Sequence, residues 1–308
     1  MEIFFYIIIF IIGTLFGSFY TLAVYRIPKR QDIIHTHSYC PNCNHKLGLL
    51  DLFPIFSYVF LRGRCRYCKE KIRPRYLILE ILSGMLFVLL AYLMGLSIYH
   101  LETIKIAEFC FMVLYLTFII LMAGIDKENK KIDKAVNVYG IAISIIYMLY
   151  LCVIEGASIY RYGIYLILYI LILLIDTITL RKYAKSEYAN GILLVIITMA
   201  IFTGEYVAIN TVIVTLLTIA IYLLLYKIKN IKNKTRKSDK QISKEMSIGF
   251  YLGVSNIVIL MLVIAYFYAF YKGELYGYSK SKGIYRYRYS NICHCYNDIY
   301  FSHCSINL

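Results

Sequence analysis

Apolar runs long enough to cross a lipid bilayer recur along most of this 308-residue chain, and they restrict its fold more than any other feature. A hydrocarbon core about 30 Å thick needs about 20 helical residues to span it, and inside it every backbone N–H and C=O must be paired within the protein. Eight such runs can be drawn, at 3–25, 76–95, 106–125, 138–154, 160–178, 191–202, 206–226 and 248–270. The sixth is short and has to borrow Tyr188 and Ala189. A mean hydropathy of +0.66 with 60% hydrophobic residues exceeds what a soluble core requires. The sequence therefore predicts an all-α polytopic membrane bundle of about eight transmembrane helices. The first run lacks a basic leader and is too long for a signal sequence, so it reads as a retained span.

Lysines and arginines fix the orientation, because cytoplasmic segments keep an excess of them. With the N-terminus outside, segments 26–75, 126–137, 179–188 and 227–247 are cytoplasmic and hold 26 of the 33 lysines and arginines. The intervening outer loops contribute only Lys105 and Arg161. The net charge of +15 is thus mostly a topology signal in a multi-pass plasma-membrane protein. It attracts anionic lipid headgroups; nucleic-acid binding is excluded, since the charges are spread over separate loops rather than gathered on one face.

Between the first two spans lie two Cys-x-x-Cys knuckles, Cys40-Pro-Asn-Cys43 and Cys65-Arg-Tyr-Cys68, separated by the 21 residues 44–64. Each can turn two thiolates toward one tetrahedral cation, and the gap is close to that of zinc ribbons. In a reducing cytosol four such sulfurs bind metal rather than form disulfides. Zinc is the expected cofactor, in a structural role, because a four-sulfur site leaves no open position for catalysis. It would staple a loop too small to build its own core. His35, His37 and His45 are then not needed as ligands. The chain divides into a first span at 1–25, the zinc loop at 26–75, a bundle at 76–270 and a tail at 271–308.

The residues flanking the knuckles carry a resemblance. The first span contains Gly17-Ser18-Phe19 and exits through Tyr25-Arg26-Ile27-Pro28. Between the knuckles runs Asp51-Leu52-Phe53-Pro54-Ile55-Phe56-Ser57-Tyr58, then Arg62-Gly63-Arg64-Cys65, and Arg73-Pro74-Arg75-Tyr76 opens the second span. In this order the segments resemble the type IV prepilin peptidase family. The likeness is dense over the N-terminal third, thins afterwards, and returns at Ile125-Asp126 and at Ile248-Gly249-Phe250-Tyr251-Leu252-Gly253. It implies a bifunctional membrane enzyme that removes the charged leader of type IV prepilins or pilin-like proteins at the cytoplasmic face. It also implies methylation of the new terminus with S-adenosylmethionine, for which no Gly-rich fingerprint is present.

Cleavage in the family uses two aspartates, and the chemistry explains why: one carboxylate activates water while the other donates a proton. Asp126, ending the third span in Ala123-Gly124-Ile125-Asp126, matches the first and is expected to face a polar cavity open to the cytosol. The second belongs to a Gly-x-Gly-Asp segment opening the sixth span, where this chain reads Ala189-Asn190-Gly191-Ile192 and has no carboxylate. Asp176, set in apolar sequence at the end of the fifth span, is the favoured replacement. Glu187 and Asp133 are the other candidates, with Asp133 also fitting a cap for the fourth span. Glu80 could serve a cofactor or leader site, or pair with Arg73 or Arg75.

Three functional readings follow. The first is an aspartic prepilin peptidase using Asp126 and Asp176. The second is a relative that binds prepilins or helps assemble a pilus machine without cleaving. The third is a membrane-anchored zinc-ribbon binding module. Small residues Gly13, Gly17, Ser83 and Gly84 predict close contact between the first two spans. Cys110 and Cys152 read as core packing, segment 227–244 as a basic stretch near headgroups, and the tail, with Cys293, His294, Cys295, His303 and Cys304, as a disordered extension.

Overall fold

The computed structural model of the chain describes residues 1–33, 35, 37–99, 102–154, 157, 159–179, 186–232 and 246–278. Most of the segment 179–188, most of the basic stretch before the last span, and the tail from 279 with its cysteines lie outside the described residues. Within them the regular structure is helical: α1 (Glu2–Arg26), α2 (Leu49–Leu52), α3 (Phe56–Phe60), α4 (Arg75–Leu93), α5 (Thr103–Asn129), α6 (Lys134–Ile154), α7 (Ile159–Thr179), α8 (Ser186–Thr203), α9 (Glu205–Lys232) and α10 (Ile248–Tyr278).

Among the described residues, seven helices are long and apolar enough to cross a membrane, namely α1, α4, α5, α6, α7, α9 and α10. The eighth expected span is α8, whose apolar part Glu187–Thr203 falls short of that standard; its 18 residues rise about 27 Å, just under a bilayer core. At its other end the last span runs further than expected, helical to Tyr278 rather than breaking into a tail at 271. Cys110 is exposed, so it is not the core residue the sequence suggested, whereas Cys152 is half-buried. Cys110 sits on the outer surface of an apolar helix, where lipid tails solvate a side chain as well as protein does.

Two compact units make up the chain, Met1–Phe109 and the remainder from Cys110. In the first, α1 lies along α4. A Cβ added at Gly13 would meet Gly84 Cα at 2.8 Å, and one at Gly17 would meet Glu80 Cα at 2.7 Å. The small-residue seam read from the sequence is therefore the contact itself. Without a hydrophobic drive between helices in lipid, such backbone approach and its van der Waals gain are what hold the pair.

In the second unit buried hydrogen bonds cross between helices. Tyr115 of α5 donates to Asn256 Oδ1 of α10 at 2.6 Å, and Asn256 Nδ2 donates to Thr211 Oγ1 of α9 at 3.2 Å. Tyr169 of α7 reaches Ser144 of α6 at 3.2 Å and Thr198 of α8 at 2.9 Å. Each bond of this kind contributes about 0.6 kcal/mol in a membrane bundle, with a ceiling near 1.7. Asp133 caps α6 through the Ala135 N–H at 2.9 Å, as its position predicts.

Candidate active site and metal centre

The candidate metal centre is built by two knuckles of one design. Cys40 and Cys65 each open a turn in which the residue four places on, Asn44 or Lys69, donates its N–H back to the cysteine carbonyl, at 2.8 and 3.0 Å. Those two residues have φ of 55° and 60°, the left-handed conformation that returns the chain toward its start. A bridge closes each knuckle, Tyr39 with Lys46 and Arg64 with Lys71. The four Sγ atoms of Cys40, Cys43, Cys65 and Cys68 lie within 4.8 Å of one another, with Cys40 and Cys68 at 3.8 Å. A tetrahedron with Zn–S bonds of about 2.3 Å has edges of about 3.8 Å, so the donor set fits a zinc ion.

Cys43 and Cys68 are pulled in opposite directions. The N–H of Glu70 holds Cys68 down to about 7. A backbone bond from His45 favours the thiolate of Cys43, but desolvation and the neighbouring thiols push it up to about 11. A divalent cation is what would make four thiolates compatible. Asp51 of α2 braces the second knuckle, accepting from Arg66 Nε at 2.6 Å and Tyr67 Oη at 3.2 Å, the two residues between Cys65 and Cys68. Burial pushes its carboxyl up, yet Arg66, the Gly48 N–H and Tyr67 outweigh that and hold it below the usual aspartate range.

Glu80 belongs to the same unit and does not pair with Arg73 or Arg75. Its carboxylate accepts from the N–H of Ile55 at 2.8 Å and from the Ser18 hydroxyl. Ile55 is the centre of a γ-turn with φ 62° and ψ −55°, closed by Phe56 N donating to Pro54 O at 2.6 Å. For a β-branched residue this conformation is strained. The resembling segments Gly17-Ser18 and Pro54 to Tyr58 thus meet at one carboxylate.

In the second unit Asp126 lies in the last turn of α5 and is fully buried, at 0% exposure. It is enclosed rather than facing an open cavity, because the first turn of α10 covers it. Phe250 N donates to Oδ2 at 3.1 Å, and Tyr188 of α8 donates its hydroxyl to the carboxylate while accepting from the N–H groups of Ile248 and Gly249 at 3.0 and 3.3 Å. A Cβ at 249 would stand 2.9 Å from Met122 Sδ and 3.1 Å from Asp126 Oδ2, so any larger residue there would have to displace those side chains. Lys130 is the neighbouring cation and donates to Ser247 Oγ. Among the described residues Asp126 Oδ1 has no hydrogen-bond partner.

Asp176 has a different neighbour. Asn190 Nδ2 of α8 donates to its Oδ1 at 3.1 Å. Tyr188 and Asn190, which reach the two acids, are two residues apart, and such positions do not share a helix face. Glu187 pairs with Lys134 at 3.2 Å with both side chains about half exposed, so neither it nor the capping residue Asp133 is bonded to Asp126. Sequence reasoning missed Tyr188 and the Asn190–Asp176 bond. The signals were present in Ile248-Gly249-Phe250 and in the carboxamide of Ala189-Asn190-Gly191, but nothing local says what they touch.

Residues 11–94 match the family described as Bacterial Peptidase A24 N-terminal domain. The chain is similar to the prepilin leader peptidase/N-methyltransferase of Klebsiella pneumoniae, 36% identical over 93 residues, covering 28% of this chain and 41% of the relative. It is 33% identical over 123 residues to that of Vibrio cholerae, covering 37% and 46%. With that of Bacillus subtilis it is 37% identical over 91 residues, covering 30% and 37%. The chain thus spans less than half the length of these relatives. No solved structure matches it. Residues 11–94 are thus similar to the N-terminal domain of the type IV prepilin peptidase family.

Proposed function

We propose that this chain cleaves the leader of type IV prepilins or pilin-like proteins at the cytoplasmic membrane face, by an aspartic mechanism in which Asp126 and Asp176 are the two acids. The observation that carries the reading is Asp126 itself: a fully buried carboxylate at the end of a membrane span, one oxygen held and the other without a partner. Burying such a group unsatisfied is costly, and ionisable residues in spans are retained where they act. In this reading Oδ2 is fixed by Phe250 and Tyr188, and Oδ1 is left to hold a water or the scissile carbonyl. Asp176, oriented by Asn190, supplies the second carboxyl, since one acid must be ionised and the other protonated. Because the first turn of α10 covers Asp126, that turn must open before a peptide reaches it. Zinc on Cys40, Cys43, Cys65 and Cys68 holds the loop, and the new N-terminus is methylated with S-adenosylmethionine as the relatives' names suggest.

One observation favours a second reading, in which the chain binds prepilins without cleaving them. The carboxamide of Asn190 stands where a second carboxylate is expected, and it engages Asp176 rather than Asp126. The test is processing of a leader-bearing prepilin in membranes by the unaltered chain and by Asp126→Asn, Asp176→Asn and Asn190→Asp. Cleavage that both Asp→Asn changes abolish supports the first reading. Cleavage seen only with Asn190→Asp establishes the second. Cleavage that survives Asp126→Asn refutes an aspartic site at this carboxylate.

A further inference from the structure

Between the knuckles, residues 52–61 carry no charged side chain, and their apolar groups are turned outward instead of into a core. Leu49 is 89% exposed, Leu50 77%, Phe53 50%, Phe56 55%, Val59 59% and Phe60 80%. An apolar stretch of about 10–14 residues is too short to span a bilayer and marks either a buried helix or a re-entrant, interfacial segment. Exposure on this scale removes the first alternative.

Depth along the adjoining helices gives the second a location. Ile55 N donates to Glu80, and Glu80 also takes the Ser18 hydroxyl. Glu80 is five residues inside the start of α4 at Arg75, and Ser18 eight residues inside the end of α1 at Arg26, which is about 7.5 and 12 Å at 1.5 Å per residue. The Ile55 turn therefore hangs below the ends of both spans, on the bilayer side of their terminal arginines. The backbone is prepared for that setting. The N–H groups of Phe56, Ser57, Val59 and Leu61 go to the carbonyls of Pro54, Phe53, Ile55 and Ser57 at 2.6 to 3.0 Å, Pro54 has none to satisfy, and Ile55 uses Glu80. Irregular backbone at membrane depth is tolerated only when its polar groups are paired in this way. Arg62 and Arg64 follow immediately, both on the exposed side of the turn, and suit the headgroup layer.

We propose that residues 49–60 form a re-entrant element that dips beside α1 and α4 and seats Phe53, Phe56, Val59 and Phe60 at the boundary between lipid headgroups and acyl chains. The γ-turn at Ile55 reverses the chain at its deepest point, and the zinc knuckles on either side fix its two arms. The element anchors the loop to the membrane surface independently of whether the chain cleaves anything.

The chain has no tryptophan, so Phe56→Trp and Phe60→Trp in the full chain each introduce a single reporter, with Tyr39→Trp on the first knuckle for comparison. Each variant is reconstituted in phosphatidylcholine–phosphatidylglycerol vesicles, its zinc content checked against the unaltered chain, and its emission excited where the tyrosines do not absorb. The expected result for Phe56→Trp and Phe60→Trp is blue-shifted emission, strong quenching by lipids brominated on their acyl chains, and an iodide quenching constant at least about threefold below that of Tyr39→Trp. Quenching by iodide with none by brominated lipid overturns the proposal in favour of a water-facing surface. Protection from both quenchers overturns it in favour of a protein partner, a second copy or a bound peptide.

Discussion

Gly17→Ala isolates the contact on which the first unit is built. The added Cβ would lie 2.7 Å from Glu80 Cα and 2.9 Å from Leu79 O. Both are backbone atoms of α4, so no side chain can swing aside, and restoring an ordinary carbon contact of about 3.5–4.0 Å requires the helices to part by about 1 Å. Tilting about the preceding turn is blocked, because Gly13 is as tightly set against Gly84 Cα and Ser83 O, each at 2.8 Å from its added Cβ. Overpacking of this sort costs about 1–3 kcal/mol. Drawing Glu80 away also loosens its 2.8 Å bond to Ile55 N, a further cost of about 1 kcal/mol, while replacing glycine inside a helix returns up to about 1 kcal/mol. The expected net loss is about 1–3 kcal/mol, read as a lowered unfolding midpoint in detergent micelles. Gly163→Ala in α7 is the comparison, since nothing lies within 4 Å of its added Cβ; it should be neutral or stabilising by up to about 1 kcal/mol. If Gly17→Ala shifts the midpoint in the same direction as Gly163→Ala, the seam is not the close contact described.

Purified chain is expected to carry one zinc, measured by elemental analysis, and Cys40→Ser and Cys65→Ser should each lose it, because neither knuckle alone completes a tetrahedron. Chelation should leave helical content nearly unchanged while exposing residues 26–75 to protease, and an unaltered digestion pattern would contradict a structural metal. Asp51→Asn should weaken zinc retention modestly, by no more than about fivefold, since Arg66 is half exposed and its attraction is screened. A group whose folded pKa is depressed contributes above its unfolded pKa and loses that contribution as pH falls, so the deficit should stay constant between about pH 8 and 5. A deficit that shrinks over that interval would mean the carboxyl is not held down. Tyr115→Phe removes the 2.6 Å bond to Asn256 and should lower stability by about 0.6–1.7 kcal/mol; no change in the unfolding midpoint would mean that Asn256 finds another partner at no cost.

How much was legible in the sequence depended on whether the signal was periodic or a matter of pairing. Span length and apolarity locate seven helices, and the doubtful sixth run is the one the structure leaves short. The Cys-x-x-Cys spacing finds the four-cysteine cluster because each turn is closed within five residues, and Gly13 with Gly17 announces a close helix contact because small residues four apart share a face. The misses have another origin. Glu80 invited pairing with arginines near it in sequence, yet its partner is a backbone N–H 25 residues away, exposed by a γ-turn that no residue preference predicts at an isoleucine. Asp126 was expected at an open cavity because an aspartate at a span's end usually meets water. Its burial depends on Phe250, 124 residues further on, and on a glycine at 249 that lets α10 approach.

The family match and the acids speak to different parts of the chain. Residues 11–94 lie wholly within the first unit, where the resembling motifs turn out to be the parts that fold it: Gly17 packs, Ser18 and Glu80 hold the Ile55 turn, Asp51 braces a knuckle, and the four cysteines gather their sulfurs. Such residues would be kept by any member whose loop must stay folded, cleaving or not. Peptide hydrolysis by an aspartic mechanism makes a demand the first unit does not meet, a second acid able to exchange a proton with the first. In the second unit the carboxamide of Asn190 binds Asp176 while Tyr188 binds Asp126. An amide cannot donate the proton that a carboxyl would. The likeness of the first unit therefore bears on how that unit folds, whereas the proposed cleavage rests on Asp126 and Asp176, with Asn190 beside the second. Asn190→Asp bears on the choice between the two readings most directly, because it changes one side-chain atom near the start of α8 and puts a carboxyl where the resemblance expects the second aspartate.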